Sequence, residues 1–541
     1  MFLTRTGSWK CRTNDPLKPF TLKGTSPFFI AFLLSSLVYF HNNIFIDFAD
    51  EGFLWYGAQH VLKGQVPMLD FQAYDPGRYY WCAAVLAVLG KGLMSLRLAA
   101  GLFQFLGLSL GLFALRRVVS SHLFLFAAGL WAVLFMLVPC RYFTASLPPI
   151  ALFFAVRLVE NPSTRRHITA GICTGLAVFI AINHGFYLFL GFSALILYLS
   201  FRDGLRSFAK KYVMYTAGIG LGLIPLWFMF VAIPGFFESY CERFMNMAAI
   251  FWQGKANVRL PIPWPWTVDW VQISSALPDT RARVLEYANR FSIGMMFILV
   301  IFYYIFSLPT LARRKKSIEP SQALHTASTF IGMFYLGHIF ARADLVYLGE
   351  GIFPVLAGFL ALKRDSVKKV SRTILSAGVI IFALTGFLSA GLRSTLVFKT
   401  MVTKSGMTWY SVGQDRIWLL RQDAEYCDSV KKLVAKYVKP DEPLLLAPLL
   451  TTFYCLLDRP SPVHELYFHL APLRSMEERT LKELEEKKVR WAIVGNLVVD
   501  GRPEQTLSRS HPLLWEYLNS RFESVSTEGL RPGYSLLKRK D

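Results

Sequence analysis

Apolar segments about as long as a bilayer is thick recur along most of this chain, between Pro27 and Leu392. A helix needs about 20 apolar residues to cross the hydrocarbon core of a membrane. Only 17% of the 541 residues are charged, whereas a soluble domain carries about 25%. The sequence therefore predicts an all-α polytopic membrane protein. Its net charge of +22 is explained by short basic loops at a membrane surface, and nucleic acid is not an expected partner.

The positions of Lys and Arg predict the topology, because these residues concentrate in cytoplasmic loops. Five basic residues precede the first apolar segment at 27–46, which predicts a cytoplasmic N-terminus. The later basic clusters divide the chain into about eleven spans on one condition. Residues 78–94 must form a helix in the outer interface, and 96–115 the second span. The last span then leaves the C-terminal segment outside the cytoplasm.

This topology predicts a transmembrane domain at 1–393 and an extracytoplasmic soluble domain at 394–541. The transmembrane domain has outer loops at 47–77 and 234–290. In the soluble domain, short apolar runs alternate with charged stretches of helical length, a pattern typical of a small α/β domain. The runs of strand length are Pro443–Ala447, Val489–Gly495 and Tyr534–Leu537.

The first outer loop is rich in acidic residues. They are Asp47, Asp50, Glu51, Asp70 and Asp75. Carboxylates gathered at a membrane surface repel one another, so they indicate a metal, a general base or a cationic partner. A structural alternative is that Asp50 caps a helix over 51–62. The sequence leaves both interpretations open.

The same loop, IDFADEGFLWYGAQHVLKGQVPMLDFQAYDPGRYYW, resembles the GT-C superfamily of membrane glycosyltransferases. It is similar to relatives of the bacterial aminoarabinose transferase, the protein mannosyltransferases and the rhizobial lipopolysaccharide core transferases, as in glycosyltransferase family 39. The likeness in topology covers the whole chain. The motifs that carry it lie between Asp47 and Arg97.

This resemblance implies an inverting transfer of a sugar from a polyprenyl-phosphate donor to a lipid, glycan or protein acceptor. It implies a site outside the cytoplasm, with the bacterial cytoplasmic membrane as the expected location. Asp50 corresponds to the general base, and Glu51 supports it or shares a Mg²⁺ or Mn²⁺ ion with it if the reaction needs a metal. Arg78 is the candidate for the lipid phosphate. Asp75 stands where some relatives have a lysine, which departs from the family pattern.

Other polar residues at the predicted outer ends of spans are further candidates for substrate binding. A leaving phosphate calls for arginine, although arginines also extend to lipid headgroups. The outer arginines are Arg141, Arg243 and Arg342. His338 lies four residues before Arg342, on the same helix face, with Asp344 just beyond. This group either serves the site or contains a self-sufficient Arg342–Asp344 pair. His184 lies at a predicted outer turn and either caps the turn or contacts the site.

Two other functions remain as alternatives, an O-antigen ligase or polymerase and a transporter or flippase of lipid-linked sugars. A ligase is expected to use arginines of the later outer loop, without an acidic pair after the first span. A transporter is expected to have helices broken by Gly or Pro and charges at mid-membrane. The chain has no Walker, dinucleotide or zinc motif, which favours a lipid-linked donor over a nucleotide sugar.

Overall fold

The described part of the chain is mainly helical. The computed structural model describes residues 24–201, 205–254, 260–269, 271, 280–312, 319–362, 376–389, 406–499 and 501–540. The helices up to residue 252 are α1 (Ser26–His41), α2 (Asp50–Leu62), α3 (Pro76–Leu89), α4 (Leu93–Leu115), α5 (His122–Leu134), α6 (Tyr142–Glu160), α7 (Thr164–Ile180), α8 (Ile182–Ser200), α9 (Leu205–Gly222), α10 (Ile224–Ala232) and α11 (Phe236–Trp252). The next five are α12 (Thr280–Ala312), α13 (Pro320–Ala341), α14 (Leu345–Gly349), α15 (Phe353–Ala361) and α16 (Ser376–Ser389).

The C-terminal segment combines six strands with five helices. Its helices are α17 (Arg421–Tyr437), α18 (Thr451–Leu456), α19 (Arg474–Glu486), α20 (Leu507–Ser510) and α21 (Pro512–Arg521). Its strands are β1 (Met407–Val412), β2 (Asp415–Leu420), β3 (Leu444–Ala447), β4 (Trp491–Gly495), β5 (Phe522–Ser526) and β6 (Tyr534–Arg539).

Five described helices are long and apolar enough to cross a membrane. They are Ser26–Ile44, Leu93–Leu115, Tyr142–Glu160, Ile182–Ser200 and Glu286–Leu311. A sixth arises if α9 and α10, which meet at a bend of 50°, form one span. The predicted number of eleven is therefore not confirmed. One reason lies in α5, which has 13 residues and is only about 20 Å long, shorter than the bilayer core of about 30 Å.

The helix predicted before the second span is present as α3, separate from α4. Pro76 occupies its first turn, where the missing N–H of proline has no helical partner to lose. Gly90 ends it with φ of 93°, a backbone conformation that glycine adopts without steric cost. The sequence thus fixes both ends of α3.

Helices α7 and α9 pack with their backbones close together. Glycines line the contact, and a Cβ atom placed on Gly171 would lie 2.1 Å from the carbonyl oxygen of Tyr215. Gly218 is equally close to the carbonyl oxygen of Ile168. Small residues at such positions let apolar helices approach closely. The glycines in the sequence therefore determine how closely α7 and α9 pack.

The C-terminal segment forms the predicted small α/β structure. Its four-stranded sheet has the order β3-β4-β6-β5, with β3 parallel to β4 and the other pairs antiparallel. A buried apolar cluster that includes Leu445, Phe468 and Leu514 lies beside the sheet. The three strands predicted from the apolar runs are confirmed. The sequence reading missed β5 and the β1–β2 hairpin, although Gly413 between β1 and β2, with φ of 59°, is a turn signal.

The chain divides into two compact units. Unit 1 comprises residues 1–38, 101–224 and 259–399, and unit 2 comprises 39–100, 225–258 and 400–541. Unit 2 thus contains both the first acidic loop and the C-terminal α/β structure. The predicted domain boundary after residue 393 lies outside the described residues.

Candidate functional site

Asp50 is the first residue of α2, and its carboxylate is bound by a tyrosine from the C-terminal segment. Ala49 occupies the N-cap position of α2 and makes no side-chain capping bond, and Asp47 Oδ1 accepts the Ala49 N–H at 2.8 Å. Instead, the Tyr467 hydroxyl donates a hydrogen bond of 2.6 Å to Asp50 Oδ1. Asp50 therefore does not act as the N-cap, and the structural alternative left open by the sequence loses its support.

Tyr467 is held in place from several directions. Its ring stacks on Phe53, with centroids 4.6 Å apart and planes 24° apart. The Oε1 atom of Gln72 accepts hydrogen bonds from the backbone N–H groups of residues 466 and 467, at 2.8 and 2.9 Å. Because ring and backbone are both fixed, the hydroxyl is preorganised toward Asp50.

Helix α2 and helix α18 of the C-terminal segment touch closely next to Asp50. A Cβ atom on Gly52 would lie 2.1 Å from Thr452 Oγ1. Thr452 Oγ1 donates a hydrogen bond of 2.6 Å to the carbonyl oxygen of Asp47. Only glycine fits at position 52, so the first loop is built to receive the C-terminal segment.

Glu51 forms a buried bidentate pair with Arg97 of α4. Arg97 Nε lies 2.6 Å from Glu51 Oε1, and the Arg97 terminal nitrogen Nη2 lies 2.7 Å from Oε2. Both side chains are less than 5% exposed. Arg97 also donates to the backbone carbonyl groups of Asn42 and Phe45. Glu51 thus ties the acidic loop to α4, with both carboxylate oxygens engaged.

Two of the predicted arginines lie around Tyr74 in the same unit as Asp50. The guanidinium carbon of the buried Arg78 is 5.1 Å from the Tyr74 ring centroid, and Arg243 donates a 2.7 Å hydrogen bond to the Tyr74 carbonyl oxygen. The Tyr74 ring packs edge-on against Phe53 at 4.9 Å, and Phe53 also stacks on the tyrosine that binds Asp50. Asp50, Tyr467, Phe53, Tyr74, Arg78 and Arg243 are named the acidic-loop site below.

Asp75 lies at the edge of this site. It occupies the N-cap position of α3 with no side-chain capping bond, and it is buried. The pKa of Tyr240 is raised to about 12, mainly by burial and also by Asp75, against the opposing effect of Arg243. Asp75 and Arg243, a member of the acidic-loop site, therefore both lie close enough to act on the Tyr240 hydroxyl.

Glu465 is a carboxyl group of this region that the sequence reading missed. Its side chain keeps part of its surface exposed, but the carboxyl group is crowded by protein atoms. This desolvation raises its pKa to about 8, against the opposing effect of Arg479. Gln72 Nε2 donates a hydrogen bond to it. At neutral pH the folded protein therefore holds a proton on Glu465 that the unfolded chain releases.

This proton predicts that unit 2 loses stability as the pH rises. The pKa of Glu465 in the folded protein is raised above the ordinary value of 4.5. The stability that the protonated Glu465 contributes is therefore complete below about pH 4.5 and is lost as the pH approaches 8. Glu465→Gln is expected to raise the melting temperature at pH 8.5 by roughly 2 to 4 °C, the effect of about 1 kcal/mol, and to leave it unchanged at about pH 4, below the unfolded pKa. Melting curves at both pH values measure this. Glu523→Gln, at an exposed position, is the control, and an equal effect of both variants would contradict the prediction.

In unit 1, Arg342 and Asp344 form the self-sufficient pair that the sequence offered as one alternative. Arg342 Nε lies 2.7 Å from Asp344 Oδ2, while Asp344 Oδ1 caps α14 by accepting from the Tyr347 N–H at 2.8 Å. The guanidinium groups of Arg141 and Arg342 lie 5.6 and 5.5 Å from the Tyr347 ring centroid. Two guanidinium groups thus lie over one aromatic ring in cation–π contacts.

His184 and His338 converge on Glu350, which the sequence reading missed. His338 Nε2 lies 2.7 Å and His184 Nε2 3.6 Å from Glu350 Oε2, and all three residues are buried. Thr144 Oγ1 donates to the other oxygen, Oε1, at 2.8 Å, and Arg141 lies 3.7 Å from it. A glutamate inside the apolar run LVYLGEGIF was the available signal, since such a charge needs partners.

The predicted site residues thus fall into two groups, one in each unit. Those in unit 2 are Asp50, Glu51, Asp75, Arg78 and Arg243, and those in unit 1 are Arg141, His184, His338, Arg342 and Asp344. Asp50, Arg78 and Arg243 of the unit 2 group belong to the acidic-loop site, and the unit 1 group lies around Tyr347 and Glu350.

No protein-family model and no curated protein sequence matches the chain. Among solved structures, this chain is similar to ArnT from Cupriavidus metallidurans in the apo state, with 13% sequence identity and a TM-score of 0.51. The match covers 95% of this chain and 98% of the ArnT chain. ArnT bound to undecaprenyl phosphate has the same coverage, 12% identity and a TM-score of 0.48. A third structure is the archaeal oligosaccharyltransferase AglB from Archaeoglobus fulgidus in complex with an inhibitory peptide and a dolichol-phosphate, with 13% identity and a TM-score of 0.42. This match covers 88% of this chain and 69% of the AglB chain. The chain shares the fold of ArnT in the apo state, which confirms the fold class predicted from the sequence.

Proposed function

We propose that this chain is an inverting glycosyltransferase that moves a sugar from a polyprenyl-phosphate donor to an acceptor on the extracytoplasmic face of the bacterial cytoplasmic membrane. The observation that carries the proposal is the acidic-loop site. There Tyr467 orients the Asp50 carboxylate, Phe53 packs against both Tyr467 and Tyr74, and two arginines contact Tyr74. The fold shared with ArnT supports the same class of protein. The acceptor is a lipid, a glycan or a protein of the envelope.

The chemistry needs one base and one anion-binding group. Asp50 takes the proton of the acceptor group as that group attacks the anomeric carbon of the sugar. The bond between this carbon and the phosphate oxygen breaks, and the phosphate leaves with the electron pair, so the anomeric configuration inverts. Arg78 and Arg243 stabilise the charge that develops on the phosphate. Tyr467 orients Asp50, and Glu51 has a structural role through Arg97.

The direct test is sugar transfer by the purified chain in lipid, with a panel of polyprenyl-phosphate sugars. A released polyprenyl phosphate and a labelled acceptor are expected with at least one donor. Nucleotide sugars supplied to the same preparation are the matched control, and no transfer is expected from them. Transfer from nucleotide sugars alone would contradict the proposal.

Tyr467→Phe is expected to reduce the transfer rate about tenfold. A hydrogen bond to a charged group contributes about 1.5–3 kcal/mol, and loss of 1.4 kcal/mol of transition-state stabilisation is a factor of ten in rate. Initial rates at saturating donor and acceptor measure the effect. Tyr437→Phe removes a hydroxyl from a tyrosine of the same segment, whose ring packs near Trp491, and should leave the rate unchanged. A full rate in Tyr467→Phe would show that the hydroxyl does not orient the base.

A further inference from the structure

Two histidines and one glutamate of unit 1 bring metal-ligand atoms to one point. His184, His338 and Glu350 each offer one ligand atom, and these atoms lie within 4.8 Å of one another. No other such group of three occurs among the residues that the structure describes. His184 lies at the start of α8, His338 near the end of α13, and Glu350 directly after α14. The three ligands therefore come from three separate helices.

The spacing fits a tetrahedral ion. With ligand bonds of about 2.0–2.2 Å, the ligand atoms of a tetrahedral zinc site lie about 3.4 Å apart. His184 Nε2 is 3.6 Å from Glu350 Oε2, which is longer than a normal hydrogen bond and close to this ligand spacing. His338 Nε2 is 2.7 Å from the same oxygen, so this edge must open by less than about 1 Å.

The surroundings hold the ligands in the orientation that a metal requires. His184 Nδ1 lies 3.3 Å from the Tyr335 hydroxyl, which leaves Nε2 directed at Glu350. The His338 ring stacks on Tyr347 at 4.8 Å. Thr144 donates to Glu350 Oε1 and so leaves Oε2 for the ion. Such outer contacts fix the ring orientation and the tautomer at metal sites.

We propose that His184, His338 and Glu350 bind one divalent transition-metal ion, and that Zn²⁺ fits best. Two imidazole nitrogens and one carboxylate oxygen suit Zn²⁺, whereas Mg²⁺ and Mn²⁺ prefer oxygen ligands. Three protein ligands leave a fourth position for water or an anion. The ion joins α8, α13 and the residue after α14, so it stabilises unit 1. This site is separate from the acidic-loop site, and it does not depend on the proposed transferase activity.

The rival is a metal-free network in which His338 donates to Glu350 and Arg141 balances its charge. The metal site and the metal-free network predict different results for purified protein that has been treated with a chelator. Metal binding predicts uptake of one Zn²⁺ per chain, measured by elemental analysis after gel filtration, and a melting temperature several degrees higher with Zn²⁺ but not with Mg²⁺. The network predicts neither. Equal melting temperatures with and without Zn²⁺, or no retained zinc, would overturn the proposal.

Variants locate the ion. His338→Gln and His184→Gln are each expected to lose the retained zinc and the thermal shift. His325→Gln is the matched control, because His325 is a buried histidine of the same helix as His338 and lies outside the ligand group. If a ligand variant fails to fold, Co²⁺ added to the stripped wild-type protein gives an independent readout. The intense visible absorption of tetrahedral Co²⁺ is expected, and its absence would also overturn the proposal.

Discussion

Asp50→Asn is expected to lower the rate of sugar transfer at least about a hundredfold while the protein stays folded. General acid–base catalysis typically contributes a factor of about 10² to 10⁴, and an amide cannot take the proton of the acceptor. The amide is nearly the same size as the carboxylate, and its oxygen can still accept the hydrogen bond that Tyr467 donates at 2.6 Å. Binding of the donor should therefore change much less than the turnover rate.

Single-turnover transfer with preloaded donor measures this effect directly, since it separates chemistry from product release. Asp70→Asn is the matched control. Asp70 belongs to the same loop, and its Oδ2 atom accepts the Val66 N–H at 2.7 Å away from the aromatic contacts of the site. Equal rates in wild type and Asp50→Asn would remove Asp50 from the mechanism, and an equal loss in both variants would indicate damage to the loop.

Breaking the Glu51–Arg97 pair is expected to have the largest effect on stability. Arg97→Met leaves a buried carboxylate without its bidentate partner, and loss of one member of a buried ion pair costs about 3–5 kcal/mol. The melting temperature in lipid or detergent should fall by many degrees. It should fall similarly in Glu51→Leu, because Arg97 then keeps its charge at less than 5% exposure.

The double variant separates structure from chemistry. Replacing both residues with apolar ones removes both buried charges and should recover part of the lost stability. Recovery is partial, because the carbonyl groups of Asn42 and Phe45 also lose their arginine donor. A structural role for Glu51 predicts that transfer activity returns with stability. A stable double variant with no activity would instead assign Glu51 to the reaction.

Hydropathy and charge carried the prediction of the fold. Long apolar runs predict membrane helices. The α3 helix, three of the four strands of the C-terminal sheet and the charged helices of that segment follow from periodicity and turn residues. The number of spans was less accessible. Helices such as α5 and α15, of 13 and 9 residues, are too short for the length rule. The β1–β2 hairpin at 407–420 lies outside the apolar runs from which strands are predicted.

The candidate site was only partly accessible to sequence reasoning. Local spacing predicts Asp50 in the first outer loop, Arg78 at the start of the helix that follows it, and His338 near Arg342. Tyr467, Arg97 and Glu350 were missed because their roles depend on partners far along the chain. A tyrosine in a soluble segment or an arginine at a helix end has many ordinary explanations, and only the folded contacts choose among them.

The hydrogen bond between Asp50 and Tyr467 also has a consequence for biosynthesis, since its partners are 417 residues apart in sequence. At about 5–20 residues per second, the ribosome needs roughly 20 to 80 s between them. During that interval the Asp50 carboxylate has been made but the Tyr467 hydroxyl that orients it has not. The contact between Gly52 and Thr452 cannot form either. A nascent or prematurely terminated chain therefore inserts its helices without a finished acidic-loop site. The acidic-loop site is complete only after the segment that carries Thr452 and Tyr467 has been made and has folded onto the first loop.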